Sequence, residues 1–365
     1  MRGAALEAAP RAVADDRPAL VLQTSGTTGE ARGVVIGHGS LAAHTRAVAA
    51  VLARGGLGPG GRVLGVLPLA HSYGCRMALL APLLAGAAVH LVDGFSARGS
   101  LALIDAVGIT WAPVVPTMLA AWAAVPGRPT RPTTLAWVLS AGAPLPDAVR
   151  VAAEARLGRP VRQGYGLSEA SFATLDAPPE PATPGSVGRA LPGVEVRVDA
   201  RGEVEVRGAN LMLGYEVGPE HRLERASALS QTSPDGWFAT GDLGRLDADG
   251  RLTLVDRLKD IVLVGGHTVY PAEVEAVLAQ HPGVAAVAVV GRPDAFRGEA
   301  LVACVVPAEA GLDLAALRAF AAERLTAWKV PSLWERRSSL PLGPSGKVLR
   351  RLLRRGEVAP DGSEA

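Results

Sequence analysis

The feature that most constrains this chain is a series of short apolar runs, Val63–Leu67, Ala87–Val92, Ile109–Pro113 and Leu135–Ser140, separated by segments of helical pattern. A strand that is apolar at successive positions must be covered on both faces. Such strands, joined by helices, form parallel sheets between helical layers. Asp147–Leu157 continues the series as a helix, and Arg159–Arg162 leads into another strand. Met77–Val89 is too short for a membrane span, contains Pro82 and is flanked by Arg76 and Asp93, so it reads as a buried helix and strand.

Near residue 185 the period changes. Val194, Val196 and Val198 alternate with Glu195 and Arg197, and after Ala200-Arg201-Gly202 the residues Val204 and Val206 alternate with charges. That is an antiparallel hairpin with one wet face. A second hairpin runs through Trp237–Leu246 and returns through Arg251–Val255 after the turn Asp247-Ala248-Asp249-Gly250. Beyond Lys259 strands are expected at Ile261–Val264, Val284–Val290 and Ala300–Val306. Helices are expected from Pro271, with Val274, Val277 and Leu278 on one face, and after a cap at Asp313, with Leu314, Leu317, Phe320 and Leu325. Glu273 and Glu275 read as the solvated start of the first of these helices. The expected fold class is α/β in two domains, as suits 365 residues. Residues 1–257 would hold a mostly parallel covered sheet plus a small antiparallel β unit, and residues 258–365 a small α+β domain. The boundary would be a short hinge near Arg257–Asp260.

Composition excludes several classes. The net charge is +2 with no basic block before the extreme C-terminus, so nucleic acid is not an expected partner. The 43 Gly and 28 Pro are scattered without a Gly-X-Y period, which points to turns rather than collagen. Two cysteines, Cys75 and Cys304, cannot build a disulfide framework or a zinc site. A reducing cytoplasm is the simplest compartment, and Cys75 reads as a packing residue. The first residues, with Glu7 and Arg11, read poorly as a signal peptide.

The strongest local signal is Thr24-Ser25-Gly26-Thr27-Thr28-Gly29-Glu30-Ala31-Arg32-Gly33. It is expected between a strand at Ala19–Gln23 and a helix opening at Leu41, capped by Ser40. Glycines let backbone N–H groups turn toward an anion, hydroxyls add donors and Arg32 adds charge. No Gly-Lys-Ser/Thr follows at Walker A spacing. By itself the loop reads as a phosphate loop, with an exposed polar Ser/Thr/Gly loop as the alternative.

The loop does not stand alone. It is followed in order by Leu67-Pro68-Leu69-Ala70-His71-Ser72-Tyr73-Gly74, Ser140-Ala141-Gly142-Ala143-Pro144-Leu145, Gly164-Tyr165-Gly166-Leu167-Ser168-Glu169 and Thr240-Gly241-Asp242. Then come Asp256-Arg257-Leu258-Lys259-Asp260, continuing into Gly265-Gly266-His267-Thr268-Val269-Tyr270-Pro271, and finally Pro344-Ser345-Gly346-Lys347. In this order the segments resemble the adenylate-forming superfamily of acyl- and aryl-CoA synthetases, luciferases and peptide-synthetase adenylation domains. The resemblance covers nearly all of 18–355.

The resemblance implies specific roles. Thr24, Ser25, Gly26, Thr27, Thr28, Gly29 and Arg32 would hold the β- and γ-phosphates of ATP, and His71 would border the acyl pocket. Gly142, Ala143 and Pro144 would lie along the adenine, on which Tyr165, beside Gly166, would stack. Ser168 would touch the α-phosphate, and Glu169 would hold Mg²⁺. Asp242 would accept from both ribose hydroxyls, Arg257 would contact the nucleotide, Lys259 would be the pivot, and Lys347 the catalytic lysine. Arg32 stands where the family usually has lysine, and presents a planar fork in place of a point charge. Ser168 stands where threonine is commoner.

The implied reaction joins a carboxylic acid to AMP, releases pyrophosphate, and passes the acyl group to the thiol of CoA or of a carrier-protein phosphopantetheine. No Asp follows the pocket motif in His71-Ser72-Tyr73-Gly74-Cys75 to pair an α-ammonium, so a fatty, short-chain or aryl acid is expected over an α-amino acid. Residues 1–257 would then be a shortened AMP-binding domain, and 258–365 the mobile domain carrying Lys347. The truncated large domain implies an uncovered apolar edge at the first strand, closed by a second copy or another partner. The alternative is a non-catalytic or partner-dependent nucleotide-binding subunit.

Overall fold

The computed structural model describes residues 13–24, 32–127, 132–217, 222–224, 232–309, 311–343 and 348–356. Its first element is a hairpin. Strand β1 (Pro18–Thr24) returns as β2 (Arg32–Gly37), and α1 (His38–Arg54) follows with Gly37 as N-cap. The expected order of strand, loop and helix is thereby corrected to strand, loop, strand and helix. The run Val34-Val35-Ile36 is β-branched throughout, which favours a strand over a first helical turn. Ser40 is buried inside α1 and does not cap it.

The chain continues through β3 (Arg62–Gly65), a π-helical segment Gly74–Leu80, α2 (Ala81–Leu84), β4 (Ala88–Leu91), α3 (Ala97–Val107) and β5 (Trp111–Val114). Next are α4 (Pro116–Ala123), β6 (Trp137–Ser140), α5 (Asp147–Leu157), β7 (Val161–Leu167), β8 (Ser171–Leu175) and β9 (Arg189–Ala190). The strands form a seven-stranded sheet in the order β4-β3-β5-β6-β7-β8-β9. It is parallel from β4 to β7 and antiparallel beyond.

Side-chain alternation decides the layers. Val63, Trp111, Trp137 and Leu139 join one core with Val48 and Leu52 of α1. Leu64, Ala112 and Val138 join another with Ile104 of α3, Trp122 of α4 and Leu157 of α5. Both faces are covered, as the unbroken apolar runs require. The Trp111 and Trp137 rings lie 5.4 Å apart in a tilted arrangement, a geometry that adds about 0.5–1.5 kcal/mol beyond the burial itself.

Two smaller antiparallel sheets follow. The expected hairpins form one, from β10 (Val194–Val198), β11 (Glu203–Gly208), β14 (Phe238–Leu246) and β15 (Leu252–Arg257). The other joins the first hairpin to β12 (Gly214–Val217) and β13 (Arg222–Glu224) in the order β1-β2-β12-β13. The first strand pairs with β2 on one side and is itself terminal in its sheet, and among the described residues β4 is a terminal strand of the large sheet, with Leu83, Leu84 and Leu91 exposed nearby.

After a single 3-10 turn, Leu258–Asp260, come β16 (Val262–Val264), β17 (His267–Val269), α6 (Pro271–Leu278), β18 (Val284–Asp294), β19 (Gly298–Pro307), α7 (Leu314–Ala322), β20 (Leu333–Arg336) and α8 (Arg350–Arg354). Here β19 pairs with β18 on one side and with β16 and β20 on the other. Val262, Val269, Val274, Leu278, Val289 and Leu317 form a separate core. Pro271 opens α6, and the Asp313 carboxylate caps α7 by accepting from Ala315 N–H at 2.8 Å. Leu325 lies past the end of α7. Glu273 pairs with Lys329 at 2.7 Å. Glu275 departs from expectation: it is tucked against β18, accepts from Val289 N–H and pairs with Arg350 at 2.6 Å.

Candidate functional site

Parallel strands end on the same side, so β3, β5, β6 and β7 bring their carboxyl ends together. In open α/β sheets that is where ligands bind. The β3 end leads to His71, the β6 end to Gly142, Ala143 and Pro144, and β7 itself carries Tyr165 and Gly166, with Ser168 in the turn beyond. Tyr73 ties these ends together: its hydroxyl reaches the carbonyls of Val114 at 3.1 Å and Leu139 at 3.0 Å. Gly142 has φ +89°, a region L side chains rarely adopt, and a Cβ there would lie 3.8 Å from the Tyr73 ring. His71 is half-buried at the head of this segment, its carbonyl accepting from Cys75 N–H at 2.9 Å.

One buried polar group joins the seven-stranded sheet to the sheet of β10, β11, β14 and β15. The Tyr165 hydroxyl donates to Asp242 Oδ2 at 2.7 Å. Arg257 Nε donates to Asp242 Oδ1 at 2.8 Å, across the β14–β15 pair in which Asp242 faces Arg257. Local bonds set the Asp242 backbone. Gly241, at φ +74°, donates to the Glu203 carboxylate at 2.9 Å, and Thr240 Oγ1 donates to Val204 O at 2.7 Å. Burial and the Asp242 charge push the Tyr165 phenol well above its ordinary pKa. Burial disfavours the Arg257 charge, but Asp242 and Tyr165 beside it hold its pKa above the usual value. A carboxylate offers about four lone-pair directions. Tyr165 and Arg257 use one on each oxygen, leaving Asp242 able to accept two more donors. Tyr165 itself is buried with its ring in the core cluster.

Glu169 lies half-exposed in the turn between β7 and β8 and accepts from the Tyr215 hydroxyl at 3.2 Å. Tyr215 is on β12, opposite Val34 of β2, so the first hairpin is carried to the Glu169 side of the sheet. Among the described residues no cluster of three or more His, Cys, Asp or Glu side chains could hold a metal alone. A single carboxylate with a hydroxyl beside it fits Mg²⁺, which protein sites hold through one or two carboxylates plus substrate phosphates.

At the 3-10 turn Leu258–Asp260, burial and the Arg257 charge lower the Lys259 pKa. Arg354 of α8 donates to the Lys259 carbonyl at 3.1 Å and to Asp260 Oδ1 at 2.7 Å. Helix α8 is thus pinned to the 3-10 turn at Lys259 and Asp260. Lys347 itself lies outside the described residues, as do Ser25, Gly26, Thr27, Thr28 and Gly29. For Thr24 and Arg32 only the strand positions flanking the loop are described.

Sequence reasoning passed over a second buried polar group. Arg76 is 0% exposed, and it donates through Nη1 to Ser171 Oγ. His44 of α1 accepts from Phe172 N–H at 3.1 Å. Burial and the Arg76 charge lower the His44 pKa well below its usual value. The one available sequence signal was an arginine at the edge of an otherwise apolar helix.

Two family profiles match. That of the AMP-binding enzyme covers residues 3–216, and that of the AMP-binding enzyme C-terminal domain covers 273–347. Among curated relatives, a sulfoacetate–CoA ligase of Cupriavidus necator is 37% identical over 92% of this chain and 66% of its own. A fatty acid–[acyl-carrier-protein] ligase, ScoC, of Streptomyces coeruleorubidus is 37% identical over 94% of this chain and 68% of its own. The chain thus spans about two thirds of the length of these relatives. The crystal structure of ATP-bound MatB from Rhodopseudomonas palustris superposes with a TM-score of 0.86 at 30% identity, covering 94% of this chain and 69% of that one.

Proposed function

Because this chain belongs to the AMP-binding enzyme family, we propose that it activates a carboxylic acid with ATP and transfers the acyl group to a thiol. The observation that carries the reading is the Tyr165–Asp242–Arg257 group at the carboxyl ends of the parallel strands. Asp242 is held with two free acceptor directions, matching the two hydroxyls of a ribose. Arg257 stands beside it as a fixed cation for the nucleotide.

In the first step a carboxylate oxygen attacks the α-phosphorus of ATP. The bond to the bridging oxygen breaks, and pyrophosphate leaves with that electron pair. Charge grows on the α-phosphate oxygens, so cations aimed there lower the barrier. Arg257 and Lys347 take that role, and the Thr24–Arg32 loop holds the β- and γ-phosphates. Ser168 touches the α-phosphate, and Glu169 would hold Mg²⁺, which when bound would neutralise phosphate charge. In the second step a thiolate sulfur attacks the acyl carbon and AMP departs. Rotation of residues 258–365 about Lys259 exchanges Lys347 for the Gly265-Gly266 loop between the two steps.

CoA is the acceptor we favour, with a carrier-protein phosphopantetheine as the second candidate. The substrate is a small carboxylic acid. No described helix is long and apolar enough to cross a membrane, and we place the chain in the cytoplasm, acting with a second copy or a partner that covers the β4 edge. Pyrophosphate release with ATP, Mg²⁺, an acid panel and hydroxylamine tests the reading. ATP binding without pyrophosphate release for any acid would overturn it.

A further inference from the structure

Arg76 is a buried cation that meets no anion among the described residues. Its side chain is fully enclosed, and Nε and Nη2 have no hydrogen-bond partner. Burial lowers its pKa only to about 10, so it stays charged at neutral pH. Among the described residues no carboxylate pairs with it, and its one partner is the Ser171 hydroxyl. Around it the unmet groups continue: His44 Nδ1 and Asn210 Oδ1 are also buried without partners. His44 touches Phe172, next to Ser171. Asn210 donates to Ala170 O at 2.5 Å on the other side of Ser171, whose φ of 55° is the sole positive value outside glycine among the described residues. A charge left this way is costly, and buried charges are ordinarily paired.

The position is informative. Arg76 lies one helical turn beyond His71 and Ser72, on the segment whose Tyr73 abuts Gly142. Ser171 follows Ser168 and Glu169 in the turn between β7 and β8. Through its bond to Ser171 the guanidinium therefore links the two segments that our proposed function assigns to the acid and the α-phosphate. Its free Nε–H and Nη–H form one edge of the planar fork that matches a carboxylate or sulfonate.

We propose that Arg76 is a specificity residue that seats a second anionic group of the substrate, so that the preferred acids are short dicarboxylates or sulfocarboxylates. This rests on the acid-activating function proposed above. One anionic end is activated, and the other replaces the missing partner of Arg76. A neutral acid of the same length leaves the buried charge unpaired, the kind of mismatch that sites penalise most.

The test is calorimetric titration of the ATP-loaded protein, without Mg²⁺, with malonate, succinate, glutarate and sulfoacetate against acetate, propionate and butyrate. The dianions should bind about 10–100-fold more tightly. Arg76→Met should abolish that preference while the melting temperature and ATP affinity hold. Equal binding of the two classes to the native protein, or a preference that survives in Arg76→Met, would overturn the proposal. If Arg76→Met does not fold, the native comparison alone decides it. Pyrophosphate release separates this inference from the function it rests on. Selective dianion binding without turnover removes the function and keeps the seat, whereas turnover of monoanions alone removes the seat and keeps the function.

Discussion

Asp242 is held from both sides, by a phenol and a guanidinium, and its value to the protein is what its oxygens can still accept. Replacing Asp242 by Ala should weaken ATP binding by roughly 1.5–3 kcal/mol, the range for hydrogen bonds to a charged group; calorimetry showing unchanged affinity would remove it from the site. Tyr165→Phe is the gentler companion, since it deletes one donor and keeps the carboxylate and Arg257. Lys347 is tested by kinetics. Lys347→Ala should slow adenylate formation by about 10²–10³, while transfer from supplied acyl-adenylate to a thiol continues. Unchanged pyrophosphate release in that variant would exclude the assignment. Asp242, Tyr165 and Arg257 were each readable as members of ordered motifs. Their mutual contact was not, because the residues lie far apart in the chain and meet only through the pairing of β14 with β15 and the packing of β7.

At the scale of elements, the first hairpin and the last helix carry the main differences from expectation. The loop from Thr24 to Arg32 joins two strands, so whatever holds an anion there is the loop's own N–H and hydroxyl groups, without a helix dipole behind them. Helix α8 is anchored by Arg350 to Glu275, with side chains 20% and 18% exposed. Arg350→Ala should cost about 2–3 kcal/mol, below the range for fully buried pairs because part of each side chain reaches water. A urea titration followed by a probe in the C-terminal module would show it. Strand β20 offers a pH test. Glu335 is held down to about 2, chiefly by hydrogen bonding from Arg292, against the effect of burial and with help from Arg337. A depressed carboxyl pKa stabilises the fold above the unfolded value of ~4.3, and the contribution is lost as pH falls through about 2. Glu335→Gln should therefore flatten the loss of thermal stability between those values. An unchanged acid slope would show that the Arg292 pair contributes nothing.

For the whole molecule, the open question is the edge of the large sheet. Strand β4 is terminal in the sheet order, and Leu83, Leu84 and Leu91 beside it are 52%, 56% and 60% exposed. Unpaired strand edges with apolar neighbours recruit other chains. The 365-residue chain by itself should dimerise or aggregate at micromolar concentration, and Leu91→Lys should reduce this. Light scattering that finds a monodisperse, fully active monomer would show the edge to be self-sufficient.

The covered parallel sheet, the two antiparallel hairpins and the separate C-terminal core follow from local patterns. Side-chain period and turn chemistry are properties of neighbouring residues, and they persist in any fold that buries the apolar faces. The motif order named the residues of the site for the same reason. Tertiary structure decided what those patterns cannot encode. It set the β-branched run at Val34 as a second hairpin strand pairing with β12. It drew Glu275 out of water onto Arg350. It enclosed Arg76 beside Ser171 without a counter-charge among the described residues. Each outcome depends on which distant segment arrives next to a residue, and so on whether its charge meets a partner, water or neither.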